Sequence, residues 1–356
     1  SIEVDEFVAS HRDMLIVVSA GNEGQAADCQ NSQPGYVDWL SIGSPASCKN
    51  ALTVGASRSS RTSGGYAGFT YSQVWPDRFP DPPIAAEKVS GNAEGLAAFS
   101  SRGPCDDRRI KPDVVAPGTD IVSTKSARAP LRDFWGPYAG NARYAILGGT
   151  SMAAPLVAGC AALLREYYIV ERHHEPSAAL LKATLINSTR QLSGDDALAD
   201  HPVLPNYHQG FGCVYLPWAI PNPSQPNLRL EFLDTWKDPP RQFVRTAQAF
   251  RFRVTISGQS WLRVCLAWTD IPGRSLQNNL NLIVEEMQSH RKWIGNEHSP
   301  RDLKMPDPDN NVEMVRLDAP APGDYLIYIL AKNLLRTPQD YALVVTGGLT
   351  SGLVPI

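Results

Sequence analysis

Two polar residues carry the chemistry that can be read from this chain. In GGTSMAAPLVAG, residues 148–159, Ser151 stands where an extended run ends and an apolar helix is expected to begin. A hydroxyl there lies at the positive end of the helix dipole, and the small residues around it let a carbonyl approach the backbone. Capping the helix is the commoner use of such a serine. The string is not G-x-S-x-G, so the strained nucleophile turn of the α/β-hydrolases does not apply. In VVSAGNEG, residues 17–24, Asn22 follows an apolar strand between Gly21 and Gly24. It reads either as a turn asparagine in a left-handed conformation or as an amide donor aimed at the carbonyl that Ser151 would attack. Together the pair suits acyl transfer, provided a base takes the serine proton.

The elements that must hold these residues are visible as changes of period. Residues 15–18 (LIVV) are a continuous apolar run, the pattern of a strand covered on both faces, and similar runs follow at 51–54 and 144–147. SRSSRTSGGYAG between them reads as surface loop. The stretch from Ser151 to Tyr168 is apolar on every side until Arg165, which predicts a helix buried in the centre of a domain. A second helix is expected over 177–189, and the segment at the N-terminus reads as a helix leading into a strand. PNPSQPN, residues 221–227, reads as a linker. Beyond it, Phe250, Phe252, Val254 and Ile256 alternate with polar residues, as do Leu262, Val264, Leu266 and Trp268. This predicts an antiparallel β-sandwich or jelly roll. The expected organisation is an α/β domain over 1–222, with a parallel sheet flanked by helices, followed by a β-sandwich domain over 223–356.

Composition narrows the function classes. The 356 residues carry 33 basic and 36 acidic side chains, so nucleic acid is not the expected partner. Hydrophobic residues at 43% exclude a disordered chain. No apolar run is expected to approach the roughly 20 residues that cross a bilayer, so no membrane partner is expected either. The six cysteines contain no C-x-x-C pair. Cys29 and Cys48 share one loop-like stretch and are placed for a bridge, whereas Cys160 reads as a buried free thiol. Asp307, Asp309, Asn311 and Glu313 have the spacing of an EF-hand start, but Val312 replaces the required glycine, so an EF-hand is rejected.

Taken in order, AGNEG, SPASCKNALTVGA, FSSRGP, KPDVVAPG and GTSMAAPLVAG resemble the subtilisin family of serine proteases. The later strings LRVCLAWTDIPG, DNNVE and PQDYALVVTGG resemble the C-terminal β-sandwich of an alkaline subgroup of that family. The resemblance implies a serine endopeptidase acting on protein or peptide substrates. Ser151 would be its nucleophile and Asn22 its oxyanion-hole side chain. Ser19, Ala20 and Gly21 would form one wall of the primary specificity pocket, with Gly43 and Ser44 at its base. It also implies an extracellular location, chemistry that needs no cofactor, and room for a structural calcium.

The same resemblance requires an Asp and a His ahead of AGNEG. The residues before Ala20 include Asp5, His11 and Asp13 but no DTG-like or HGT-like string. His173 and His174 read as a solvated helix end. The expectation is therefore that a separate N-terminal chain, cleaved or split, supplies both groups and further strands of the sheet. Two other readings remain at this level: a pseudoprotease that kept the fold and lost its base, and a binding module in the β-sandwich.

Overall fold

Parallel pairing puts the loop that carries Asn22 at the C-terminal end of a small sheet. The computed structural model describes residues 1–26, 35–199, 201–258, 260–300 and 305–356. After helix α1 (Ile2–Ser10), strands β1 (Val17–Ser19), β2 (Leu52–Ser57) and β3 (Val114–Pro117) pair in parallel in the order β1-β2-β3. Central β2 is buried at every position, as a strand covered on both faces should be. Strand β1 pairs only with β2 among the described residues and is half-buried. The motif KPDVVAPG supplies β3.

The run at 144–147 is a strand, but it does not extend this sheet. Strands β4 (Ile121–Thr124), β5 (Gly136–Pro137) and β6 (Tyr144–Leu147) form a separate antiparallel sheet in the order β4-β6-β5. The connection from Pro137 to Tyr144 is too short for the crossover that parallel pairing needs. Trp135 donates its backbone N–H to the Ile146 carbonyl at 2.9 Å, which ties β5 to β6.

Short helix α2 (Tyr71–Val74) precedes the long helix α3 (Thr150–Val170), which Gly148 and Gly149 join to β6. Helix α3 buries Ala153, Val157, Ala161, Leu164 and Tyr168 and packs on β2, β1 and β3. The expectation that it is enclosed on all sides is wrong. Leu156, Leu163, Ile169 and Val170 are 44, 54, 45 and 56% exposed. Among the described residues the sheet covers one flank of the helix and no element covers the other. The helix is also long and apolar enough to cross a membrane, contrary to the sequence reading, although its contacts with the sheet are those of a core helix.

Ser177 caps α4 (Ala178–Asn187), accepting the Leu180 N–H at 3.0 Å. Nine of the ten residues of α4 are buried, all but Ala179, because it lies between α3 and the strands β9 and β14 of the C-terminal region. Helix α5 (Asp195–Leu198) follows.

The C-terminal strands are β7 (Arg229–Asp234), β8 (Ala249–Ile256), β9 (Leu262–Ala267), β10 (Asn279–Glu286), β11 (Lys292–Ile294), β12 (Val312–Leu317), β13 (Gly323–Asn333), β14 (Ala342–Gly347) and β15 (Val354–Pro355). They form a five-stranded sheet, β11-β10-β13-β8-β15, and a four-stranded one, β12-β9-β14-β7. Every pairing is antiparallel, as the alternation predicts. Val254, Leu282 and Ile327 of the first sheet share a core with Val264, Leu266 and Leu343 of the second. The alternation misleads for β9, where Arg263, Cys265 and Ala267 are buried as well. The second face of that sheet meets α4 rather than water. Arg263 lies between Trp218 and Trp261, 4.4 and 5.7 Å from their ring centres, and donates to the Asn187 and Thr189 carbonyls.

Cys48 is a free buried thiol among the described residues, and Cys29, with which it could be bridged, lies outside them. Cys160 is free as expected but only half-buried, because it sits at the edge of the uncovered flank of α3.

Three buried charges meet beside β2. Asp113 accepts from Lys111 Nζ at 2.5 Å and the Thr53 N–H at 2.7 Å, with Lys182 Nζ 3.3 Å away. Lys182 also donates to the Lys49 and Ala51 carbonyls. Burial pulls Lys182 down to about 8, against the opposing pull of Asp113. Burial would raise Asp113, but Lys111 and Lys182 outweigh it and hold the carboxyl below its usual range. Between pH 8 and 10.5 the unfolded chain therefore keeps the Lys182 proton that the folded chain has lost. Stability rises with pH across that window on account of this group. In Lys182→Met the slope of unfolding free energy against pH should fall by up to ~1.4 kcal/mol per unit. Urea unfolding between pH 8 and 10 reads it, and an unchanged slope would contradict the assignment.

Candidate active site

The end of β1 and the start of α3 bring the two motif residues together. Asn22 Oδ1 accepts the Thr150 N–H at 2.9 Å and the Thr150 hydroxyl at 3.1 Å. The Gly21 N–H in turn donates to Thr150 Oγ1 at 3.3 Å. A backbone N–H on Oδ1 fixes which end of the amide is oxygen, so Nδ2 points away from Thr150. Among the described residues neither Asn22 Nδ2 nor the Ser151 N–H has a protein acceptor. Two N–H donors thus stand uncommitted beside Ser151, whose side chain is exposed.

The backbone around them is unusually close-packed. Gly149 has φ +148°, and a Cβ there would lie 3.3 Å from Asn22 Nδ2. A Cβ on Gly24 would lie 2.4 Å from the Ala98 carbonyl oxygen and 2.6 Å from that of Ser100. That approach is needed because FSSRGP cradles the AGNEG loop. Gly24 N–H donates to the Phe99 carbonyl at 3.0 Å, Ser101 N–H to the Gly21 carbonyl at 2.9 Å, and Glu23 N–H to Ser101 Oγ at 3.1 Å. Arg78 holds the loop from its other side through the Asn22 and Gly24 carbonyls. Arg102 of the same motif is wholly buried and donates to the His208 carbonyl at 3.0 Å; burial pulls its pKa down to about 10.

Ser19, Ala20 and Gly21 run directly into Asn22, with the Ala20 N–H bonded to the Val54 carbonyl at 2.9 Å. Gly43 and Ser44 instead line a recess of about 620 Å³ with Ile42, Ser47, Cys105 and Arg109, and neither Asn22 nor Ser151 borders it.

No histidine or carboxylate among the described residues touches Ser151. Asp5 is buried and accepts the Lys49 and Asn50 N–H groups, a structural role. His11 lies exposed at the end of α1. His174 differs from expectation: its Nε2 is 3.0 Å from Asp234 Oδ2, with the side chain 29% exposed. This His–Asp pair cannot serve Ser151, because the 21 residues of α3 separate them by ~30 Å. No group of three or more His, Cys, Asp or Glu placed to hold a metal occurs among the described residues. Asp307 is engaged within the chain: its oxygens accept from Asn296 Nδ2, Asn310 Nδ2 and the Asp309 N–H.

Thr150 and Arg78 escaped the sequence reading. Thr150 was legible in principle, as the residue before Ser151 in GTSMA. Arg78 lies in a loop without a motif.

An α/β scaffold that delivers a serine at a helix N-terminus, next to an amide anchored by the preceding threonine, is the architecture of a serine-hydrolase fold. The model of the subtilase family matches residues 1–212, and the chain belongs to that family. It is 30% identical over 281 residues to the serine protease/ABC transporter B family protein tagA of Dictyostelium discoideum, an alignment covering 71% of this chain and 15% of that protein. It is 27% identical over 208 residues to the serine protease AprX of Bacillus subtilis, covering 58% of this chain and 35% of that protein. The chain thus spans only a small part of these relatives. Among solved structures, the prenylagaramide maturation protease PagA aligns with a TM-score of 0.34 and 20% identity, over 60% of this chain and 52% of that one.

Proposed function

We propose that this chain carries the nucleophile and oxyanion hole of a serine endopeptidase. Ser151 Oγ attacks the scissile carbonyl carbon while its proton passes to a histidine held by an aspartate. Both come from a segment outside residues 1–356, on a separate N-terminal chain of a two-part subtilase. The negative oxygen of the tetrahedral intermediate takes hydrogen bonds from Asn22 Nδ2 and the Ser151 N–H. The amine leaves with the proton, and water then hydrolyses the acyl-serine. Ser19, Ala20 and Gly21 form a wall of the pocket for the residue on the acyl side. The substrates are proteins or peptides, and neither nucleic acid nor a membrane takes part.

The observation that carries this reading is the clamped amide. Thr150 occupies both faces of Asn22 Oδ1 and so leaves Nδ2 free beside an exposed serine. The uncovered flank of α3 and the open edge of β1 support an additional segment packed there, since burying each large apolar side chain is worth ~1.5–3 kcal/mol. The catalytic part occupies 1–222, and a jelly-roll-like sandwich occupies 223–356. The chemistry uses no cofactor, and the protein acts outside the cell.

The test is fluorophosphonate labelling of the full-length protein, with intact-mass analysis to identify any companion chain. Labelling at Ser151 is expected. A folded protein that does not label would leave the pseudoprotease reading in its place.

A further inference from the structure

The sheet that delivers Ser151 also carries a concentrated positive charge. Between β4 and β6 lie Lys125, Arg128, Arg132 and Arg143, against one acidic residue, Asp133, in a chain whose net charge is -3. The three arginines are exposed. Arg132 and Asp133 approach only to 3.9 Å, with side chains 87 and 58% exposed, too weak a pair to neutralise the patch. Lys125, Arg128 and Arg143 have no carboxylate partner among the described residues. Lys125 and Arg143 meet across the strand ends, where the Lys125 N–H donates to the Arg143 carbonyl at 2.7 Å. Tyr138 and Tyr144 lie against each other at the same tip, 39 and 37% exposed.

This arm is firmly seated at its base. Trp135 stacks on Tyr66 with ring centres 4.8 Å apart, and it lies so close over Gly148 that a Cβ there would come within 2.0 Å of the indole. From the tip, β6 leads through Gly148 and Gly149 to the serine. Seven residue steps separate Tyr144 from Ser151, at most ~23 Å of chain. An extended substrate advances ~3.3 Å per residue. The tip therefore lies within the span of substrate side chains up to about seven positions from the scissile bond.

We infer that the arm from Lys125 to Tyr144 is a substrate-selecting surface that takes an acidic segment of a polypeptide, several residues away from the bond cleaved at Ser151. The inference rests on the peptidase reading for its substrate but not for its binding chemistry. Field lines from unpaired surface cations favour an anionic partner and act mostly on encounter and selectivity, with strong dependence on salt.

The experiment uses the full-length protein. Fluorescein-labelled peptides of equal length, one bearing a run of glutamates and one of serines and glycines, are titrated by anisotropy onto Ser151→Ala so that turnover does not intervene. The acidic peptide should bind at least tenfold more tightly at about 50 mM salt and lose most of that preference by about 300 mM. Reversing the four cations (K125E, R128E, R132E, R143E) with Ser151 also replaced should abolish the preference. The same reversal should leave the melting temperature within a few degrees of wild type, since these side chains are solvent-facing, which confirms its fold. Equal binding of the two peptides, or a preference that survives charge reversal, overturns the inference. So does a single-stranded oligonucleotide or an anionic vesicle that outcompetes the acidic peptide. A salt-sensitive acidic preference in a protein that never labels supports this surface while overturning the peptidase reading.

Discussion

Ser151→Ala should abolish fluorophosphonate labelling of the full-length protein and lower peptide hydrolysis by roughly 10⁵–10⁶-fold in kcat, the scale on which removal of a serine nucleophile acts. The expected loss is large because no neighbouring group can substitute. Thr150, the nearest hydroxyl, is buried and spends its oxygen and proton on Gly21 and Asn22. The effect should be chemical rather than structural: Ser151 is exposed, and Asn22 caps the helix through Thr150 instead. The melting temperature should therefore stay within a few degrees of wild type, since exposed substitutions cost ~0.5 kcal/mol or less. Residual labelling at another serine, with hydrolysis retained, would remove Ser151 from the mechanism.

Asn22→Ala should cost ~10²–10³ in kcat with KM nearly unchanged, because an oxyanion donor acts on charge that exists only in the transition state. The variant also strips the Thr150 N–H of its acceptor, a cost of ~1–3 kcal/mol in stability. Asn22→Asp separates the two contributions. Its carboxylate still accepts both Thr150 hydrogen bonds, so stability should recover. Its other oxygen now faces the developing anion, so kcat should stay as low as in the alanine variant or fall further. Steady-state kinetics beside thermal melts check this. Recovery of activity together with stability would mean that Asn22 only braces the helix.

Much of this arrangement was legible because the chemistry and the local backbone share the same short strings. GTSMA combines small residues, a helix start and the serine, and AGNEG combines a strand end, tight glycines and the amide. Helix α4 was readable from its serine cap, and the sandwich strands from their alternation. What remained hidden depended on partners distant in the chain. Alternation assigned Arg263 and Cys265 to solvent because nothing local announces that α4 covers that face. Leu156 and Leu163 look like core residues by composition, yet burial is a property of what lies opposite. His174 looked solvated until Asp234, sixty residues later, came beside it. The link between Asn22 and Thr150 spans 128 residues and becomes visible only in three dimensions.

The burial of α4 against β9 and β14 has a consequence for how the molecule comes apart. Leu181 and Leu185 of α4, Cys265 and Ala267 of β9, and Val344 of β14 belong to the same apolar cluster as Val54 and Val114 of the parallel sheet. A cut at the 221–227 linker would not liberate a self-sufficient β-module; it would open a greasy seam on both pieces. The two halves should accordingly unfold in a single calorimetric endotherm, and a calorimeter that resolved two would show that the seam contributes little.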